Sequence, residues 1–276
     1  MSIAFLQPQW PAPAHVRAAF TTRAGGVSVA PFDTLNLGDH VNDNADHVAQ
    51  NRARLQAAVN ARAVFLKQVH GVDVARLHAS TAGGLVADAC IATDRGVACT
   101  IMVADCLPLL FTNRAGSFVA AAHAGWRGLA GQGGQGVVEA VYADFMALEP
   151  INTAQPATKN VANDVLVWLG PCIGPQQFEV GAEVRAAFEA LQPGAAQHFA
   201  KITATADQPE KYLANLPALA RDRLHALGIT QIYGNDGSDA WCTASNPSRF
   251  FSHRRDAASL GSSGRMAACI WLAGIG

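Results

Sequence analysis

Residues 98–128 read ACTIMVADCLPLLFTNRAGSFVAAAHAGWRG. Ala98–Val103 and Leu107–Phe111 are short apolar runs, parted by Ala104-Asp105-Cys106, and Ser117–Ala122 follows after a polar turn. Runs of that length bounded by turn residues read as buried strands. Gly125-Trp126-Arg127-Gly128 then opens a helical pattern over Leu129–Leu148. The same signals predict strands at Val64–Val69, Val72–Leu77, Val165–Leu169, Ile229–Tyr233 and Met266–Leu272. They predict helices at Ala45–Val59, Ala182–Leu191 and Glu210–Leu227, the first capped by Asp43 or Asn44 and the last ended by Gly228. Strands that follow one another directly, mixed with strands beside helices, favour a single α+β domain over 1–276 with mixed sheets. No GxGxxG follows a strand, which argues against a dinucleotide fold. Only Glu149–Asn163 looks like a linker, and Pro193–Pro209 is weakly patterned.

Composition narrows the function classes. The chain has 276 residues, 50% hydrophobic and 15% charged, ample for a substantial core. A net charge of −1 and a pI near 6.7 provide no global attraction to nucleic acid or anionic lipid. The start, MSIAFLQPQWPAPAHVR, lacks a basic leader pattern, and apolar stretches such as Met266–Ile275 fall short of the roughly 18–20 residues of a membrane span. A cytoplasmic enzyme, monomer or homodimer, is the expectation. The six cysteines (Cys90, Cys99, Cys106, Cys172, Cys242 and Cys269) are dispersed and form no CxxC, so neither a disulfide scaffold nor a zinc ribbon is indicated.

Three strand patterns end in a metal-capable residue beside turn residues: His70 before Gly71, Cys106 after Ala104-Asp105, and His123 before Ala124-Gly125. Cys106 lies 36 residues after His70, and His123 lies 17 after Cys106. These gaps exclude a zinc finger and suit a catalytic site, where three protein donors from separate elements leave one position open. Spacing alone also allows three unrelated core or turn residues.

The strings LKQVHG (66–71), ADCLPLL (104–110), AAHAGWRG (121–128), GPCIGP (170–175), FFSHRRD (250–256) and GRMAACIWL (264–272) together resemble the YfiH family. This is the family of laccase-domain proteins, also called multicopper polyphenol oxidases or peptidoglycan editing factors. TTRAGGVS (21–28) and NLGDHVND (36–43) fit it too, so the resemblance spans nearly the whole chain. It implies a four-layer α/β/β/α sandwich and a zinc-dependent purine nucleoside phosphorylase that also deaminates adenosine. Inorganic phosphate and purine nucleosides, methylthioadenosine included, would be the substrates. Zn²⁺ would be held by His70, Cys106 and His123, with Cu²⁺ a competitor for the same donors. GPCIGPQQFEVG departs from the more usual family pattern, and 149–163 looks like an insertion.

A four-copper oxidase needs about ten histidines, largely in HxH pairs. This chain has nine, none in such a pair, so that cluster cannot be assembled. A metal-free alternative uses Cys106 as a thiolate nucleophile with His70 or His123 as base, giving a hydrolase or amidase that edits peptidoglycan precursors. Around the triad, Arg127 with Gly125 and Gly128 forms a candidate phosphate loop. Arg254 is a second candidate anion contact, and Gln68 a candidate substrate contact. Asp105, or Asp88 in a loop reading VADACIATD, would orient an imidazole or serve as acid and base.

Overall fold

The computed structural model describes residues 3–148, 161–202 and 209–274. In chain order the strands are β1 (Phe5–Leu6), β2 (Val16–Thr21), β3 (Arg62–Phe65), β4 (Val74–Leu77), β5 (Ala89–Ala92), β6 (Val97–Val103) and β7 (Leu107–Asn113). They continue with β8 (Val119–Ala124), β9 (Val165–Leu169), β10 (Glu179–Gly181), β11 (Phe199–Ile202), β12 (Lys211–Ala214), β13 (Gln231–Gly234) and β14 (Met266–Leu272). The helices are α1 (Ala45–Val59), α2 (Trp126–Ala130), α3 (Val137–Leu148), α4 (Ala182–Glu189), α5 (Leu216–Ala226) and α6 (His253–Leu260).

Two mixed sheets stack on each other. One has the order β1-β2-β14-β6-β3 and the other β13-β9-β7-β8-β5-β4, while β10-β12-β11 form a small third sheet. Side-chain alternation along the central strands builds the layers, because successive residues of a strand face opposite ways. In β14, Met266, Ala268 and Ile270 point between the sheets, where they meet Cys90, Leu110, Val119 and Trp168. Ala267, Cys269 and Trp271 point outward to Leu55 and Val59 of α1. In the second sheet Leu109, Phe111, Ala120 and Val167 face outward onto Val138, Val141 and Phe145 of α3 and Leu219 and Leu224 of α5. The result is the expected α/β/β/α sandwich. All seven residues of β6, β7 and β14 are buried, as strands covered on both faces must be.

Several elements differ from their sequence readings. The Ala89–Ala92 segment, expected as loop, is an entirely buried strand between β4 and β8. Its short run of small residues carries too weak a periodicity to be told from a turn. The helix expected over Leu129–Leu148 is split, because Gly131, Gly133 and Gly134 in the GQGGQG turn all take positive φ. There the Arg223 guanidinium, buried with Glu139 at 2.8 Å, also bonds the Gly134 carbonyl. The helix expected over Glu210–Leu227 begins only at Leu216. Asn215 caps it by accepting from the Ala218 N–H, Pro217 sits in its first turn, and Lys211–Ala214 belongs to a sheet. The strand expected over Val64–Val69 ends at Phe65, and the strand expected over Ser117–Ala122 runs over Val119–Ala124, so it includes His123. Asn44 rather than Asp43 caps α1, and Gly228 follows α5 with φ 81°. Within the linker-like stretch, 149–160 lie outside the described residues, and Val161–Asp164 form a turn of 3-10 helix.

The chain passes from one large sheet to the other between β3 and β4 and again between β6 and β7. His70 lies on the first of these crossings and Cys106 on the second. Leu107 pairs with Ala124 at that same end of the sandwich, next to His123.

Candidate metal centre

His70, Cys106 and His123 converge, their donor atoms all lying within 4.8 Å of one another. The Cys106 Sγ is 3.8 Å from His70 Nε2, and the two imidazoles meet edge to face at 4.7 Å between ring centres. Two donors of one tetrahedral zinc, a thiolate and an imidazole, stand about 3.5 Å apart. The Cys106–His70 spacing is close to that of two donors on one ion. His123 is buried, Cys106 half-buried and His70 exposed, so the set opens to solvent on the His70 side.

Asp88 organises this centre. One carboxylate oxygen accepts from His123 Nδ1 at 2.8 Å and from the His70 N–H at 2.9 Å. The other accepts from the N–H groups of Val69 (3.0 Å) and Gly71 (2.7 Å). All four bonds converge on a side chain with no solvent exposure. They hold His70 in a left-handed conformation, φ 62°, which a histidine otherwise disfavours. The bond to Nδ1 leaves Nε2 of His123 as its metal-facing nitrogen, the usual carboxylate–histidine arrangement of zinc sites. Burial would raise the Asp88 carboxyl, but the bonds from His123 and Gly71 outweigh it and hold it below its ordinary value.

The donors also shift one another. Burial pushes the Cys106 thiol up, but the imidazoles of His123 and His70 outweigh it and bring it down to about 6. Burial acts to lower His123, while the Cys106 thiolate and Asp88 raise it to about 9. Both shifts run in the direction that favours a thiolate beside an imidazolium when no metal is bound.

The glycines of Gly125-Trp126-Arg127-Gly128 serve packing. A Cβ on Gly125 would stand 2.9 Å from His70 Cδ2 and 3.1 Å from Cys106 Sγ, and one on Gly128 would stand 2.7 Å from the Gly71 carbonyl oxygen. Their absence lets α2 close over the His70–Gly71 turn. Arg127 is exposed and stacks on Trp126 at 4.4 Å.

Other expected site residues sit nearby with committed side chains. Gln68 donates to the Met102 carbonyl and accepts from the Met102 N–H, both at 2.8 Å, prolonging the β3–β6 pairing by a side-chain amide. Asp105, at φ 87°, accepts from Thr243 Oγ1 (2.6 Å) and from the Arg254 N–H (2.7 Å), so it ties the Cys106 turn to α6. The imidazole-contacting carboxylate is thus that of Asp88. Arg254 donates through Nη2 to the Glu179 carbonyl at 2.9 Å. A cavity of about 650 Å³ lies against the Leu66–Gln68 segment and is also lined by Asp39, His40, Arg52 and Phe65. The sequence reading did not single out Arg265, which begins the approach to β14 at the same end of the sandwich. The only cue to it was its place in the GRMAACIWL string.

A sandwich with one open three-donor set at the crossing of its two sheets defines a candidate mononuclear metal centre. The chain belongs to the family described as multi-copper polyphenol oxidoreductase laccase, whose model matches residues 17–273. A relative from Escherichia coli K12, named purine nucleoside phosphorylase YfiH, is 47% identical over 96% of this chain and 97% of its own length. A purine nucleoside phosphorylase of Pseudomonas aeruginosa is 46% identical over 98% of both chains. Among solved structures, a Neisseria meningitidis protein superposes with TM-score 0.82 at 40% identity, covering 98% of this chain and 99% of its own. YlmD from Geobacillus stearothermophilus superposes at 0.77 with 30% identity, covering 95% of this chain and 93% of its own. Despite the family description, His70, Cys106 and His123 are the one such donor group among the described residues. Among those residues, no helix is long and apolar enough to cross a membrane.

Proposed function

We propose that the chain is a cytoplasmic, zinc-dependent purine nucleoside phosphorylase. It would act on adenosine, inosine, guanosine and methylthioadenosine, and would also deaminate adenosine. The observation that carries this reading is the open His70–Cys106–His123 set, fixed by Asp88. The names of the close relatives give it its substrate class.

A zinc ion held by His70, Cys106 and His123 would supply Lewis acidity to a substrate group. The protein's own residues do the rest. Cys106 contributes a thiolate, Asp88 fixes the ring of His123, and Gly125 keeps side-chain atoms out of the space beside His70 and Cys106. In phosphorolysis a phosphate oxygen attacks C1′ of the ribose. The bond from C1′ to N9 breaks, and the purine leaves with its electron pair and takes up a proton. Arg127, exposed beside the glycine turn, draws in the phosphate. Asp105 acts by positioning Cys106 against α6, while Gln68 and Arg254 hold the walls.

Elemental analysis of protein purified without added metal should find about one zinc per chain. Inosine should release hypoxanthine only when phosphate is present. Cys106→Ser, His70→Ala and His123→Ala should each lose metal and activity together. Several coppers and no zinc would refute the reading.

The low Cys106 and high His123 values favour one competing reading, a Cys–His hydrolase of peptidoglycan precursors. Prolonged chelation separates the two. Activity that survives it, with no zinc left on analysis, would establish the nucleophile and exclude the metal.

A further inference from the structure

Arg265 is held with unusual care for a residue outside the donor set. Met266 pairs with Val103, so the ladder of β14 and β6 sets Arg265 beside the Ala104–Cys106 crossing. The 36–38 turn clasps it. Asn36 Oδ1 accepts the Arg265 N–H at 2.8 Å, and the Leu37 N–H donates to the Arg265 carbonyl at 3.0 Å. Gly38 leaves room for its stem, since a Cβ there would stand 2.7 Å from Arg265 Cγ. Asn36 is fully buried, and its Nδ2 is anchored on the Gly38 carbonyl (3.0 Å) and Asp43 Oδ2 (2.9 Å).

Among the described residues the guanidinium so positioned has no carboxylate partner. Its Nη1 donates to the Ser263 and Gly264 carbonyls at 2.8 and 3.2 Å. Among the described residues no protein group accepts from Nε or Nη2, and neither is a buried, unpartnered atom. Arg52 is bound to Asp39 (3.1 Å) and to the Leu37 carbonyl (2.9 Å), and Asp105 is bound to Thr243 and the Arg254 N–H. Burial holds Arg265 below the usual guanidinium value, and the charges of Cys106 and Asp105 oppose it. Arg265 also acts on His40, in the wall of the 650 Å³ cavity. Lys67 and Arg52 line that cavity, with Asp39 as its carboxylate.

We propose that Arg265 is the fixed anion-binding residue of this centre, holding inorganic phosphate on the free Nε–Nη2 edge of its guanidinium. That edge presents two parallel N–H donors, the geometry that matches two oxygens of one phosphate. Arg127, exposed on a five-residue helix, then serves as the outer, steering cation. The choice of phosphate as the anion rests on the phosphorylase reading.

The test uses the zinc-loaded, full-length protein and inorganic phosphate itself. Isothermal titration with phosphate should show Arg265→Gln binding weaker by about ten- to a hundredfold, the loss of a charged hydrogen-bonded contact. Zinc content should be unchanged, and Arg265→Lys should restore part of the affinity. The phosphate KM should rise in parallel while the nucleoside KM moves little. Phosphate binding unchanged in a zinc-retaining Arg265→Gln protein would overturn the proposal. Should that variant fold poorly, phenylglyoxal modification of the wild-type protein, mapped by mass spectrometry, decides. Phosphate protects Arg265 if the proposal holds, and leaves it equally reactive if it does not. Wild-type protein that binds phosphate at Arg265 but cleaves no nucleoside would refute the phosphorylase reading alone. Phosphorolysis indifferent to Arg265 would refute this inference alone.

Discussion

Replacing Asp88 by asparagine keeps the side-chain volume and changes only its hydrogen-bonding character. The carboxylate accepts from four N–H donors, three on the backbone of 69–71 and one on His123. Asparagine can accept with one oxygen only. If its NH₂ faces Val69 and Gly71, donors oppose donors, and the left-handed His70 loses what holds it. If its NH₂ faces His123 instead, Nδ1 must become the acceptor, and the proton moves to the nitrogen that should ligate the metal. Hydrogen bonds to a charged group contribute about 1.5–3 kcal/mol each. Losing two of the four, with local relaxation, should cost the metal-free fold about 2–4 kcal/mol. Metal affinity should fall by about 10–100-fold, the usual effect of removing a partner behind a ligand. Thermal melts of metal-free protein measure the first effect, and competition with a chromophoric zinc indicator measures the second. Zinc affinity within about twofold of wild type, with an unchanged Tm, would refute the argument that Asp88 organises the centre.

Two further outcomes follow from the same geometry. Gly125→Ala places a methyl 2.9 Å from His70 Cδ2 and 3.1 Å from Cys106 Sγ at an ordinary backbone φ of −63°, so its effect is steric. Zinc stoichiometry should fall well below that of wild type with far-UV circular dichroism unchanged, and full zinc retention would show that the site has slack. In metal-free protein, the lowered Cys106 value means that the thiolate persists on acidification until about pH 6. Iodoacetamide labelling of Cys106 should therefore have its midpoint near there and move upward in His123→Ala; a wild-type midpoint near that of a free thiol would contradict the ion pair.

The short-range pattern of residues was enough to find β6, β7, β9, β14 and α1, because fully apolar runs and a capped periodic face declare themselves locally. It marked His70, Cys106 and His123 only as candidates, each a metal-capable side chain at the end of an apolar run beside turn residues, and the resemblance to the family made them a ligand set. The short-range pattern was blind wherever a neighbour in space set the outcome. Ala89–Ala92 is a strand because β4 and β8 flank it, and Lys211–Ala214 joins a sheet because β10 and β11 flank it. Gln68 had the look of a substrate contact, yet its amide is spent on the backbone of Met102, distant in sequence. Asp88 and Asp105 were equivalent candidates along the chain; the fold turned one toward an imidazole and the other toward Thr243. The three donors approach within 4.8 Å because two crossings between stacked sheets meet the end of β8 at one edge. Which strands share a sheet depends on burying both faces at once. That condition joins residues far apart in sequence, and no local window contains it.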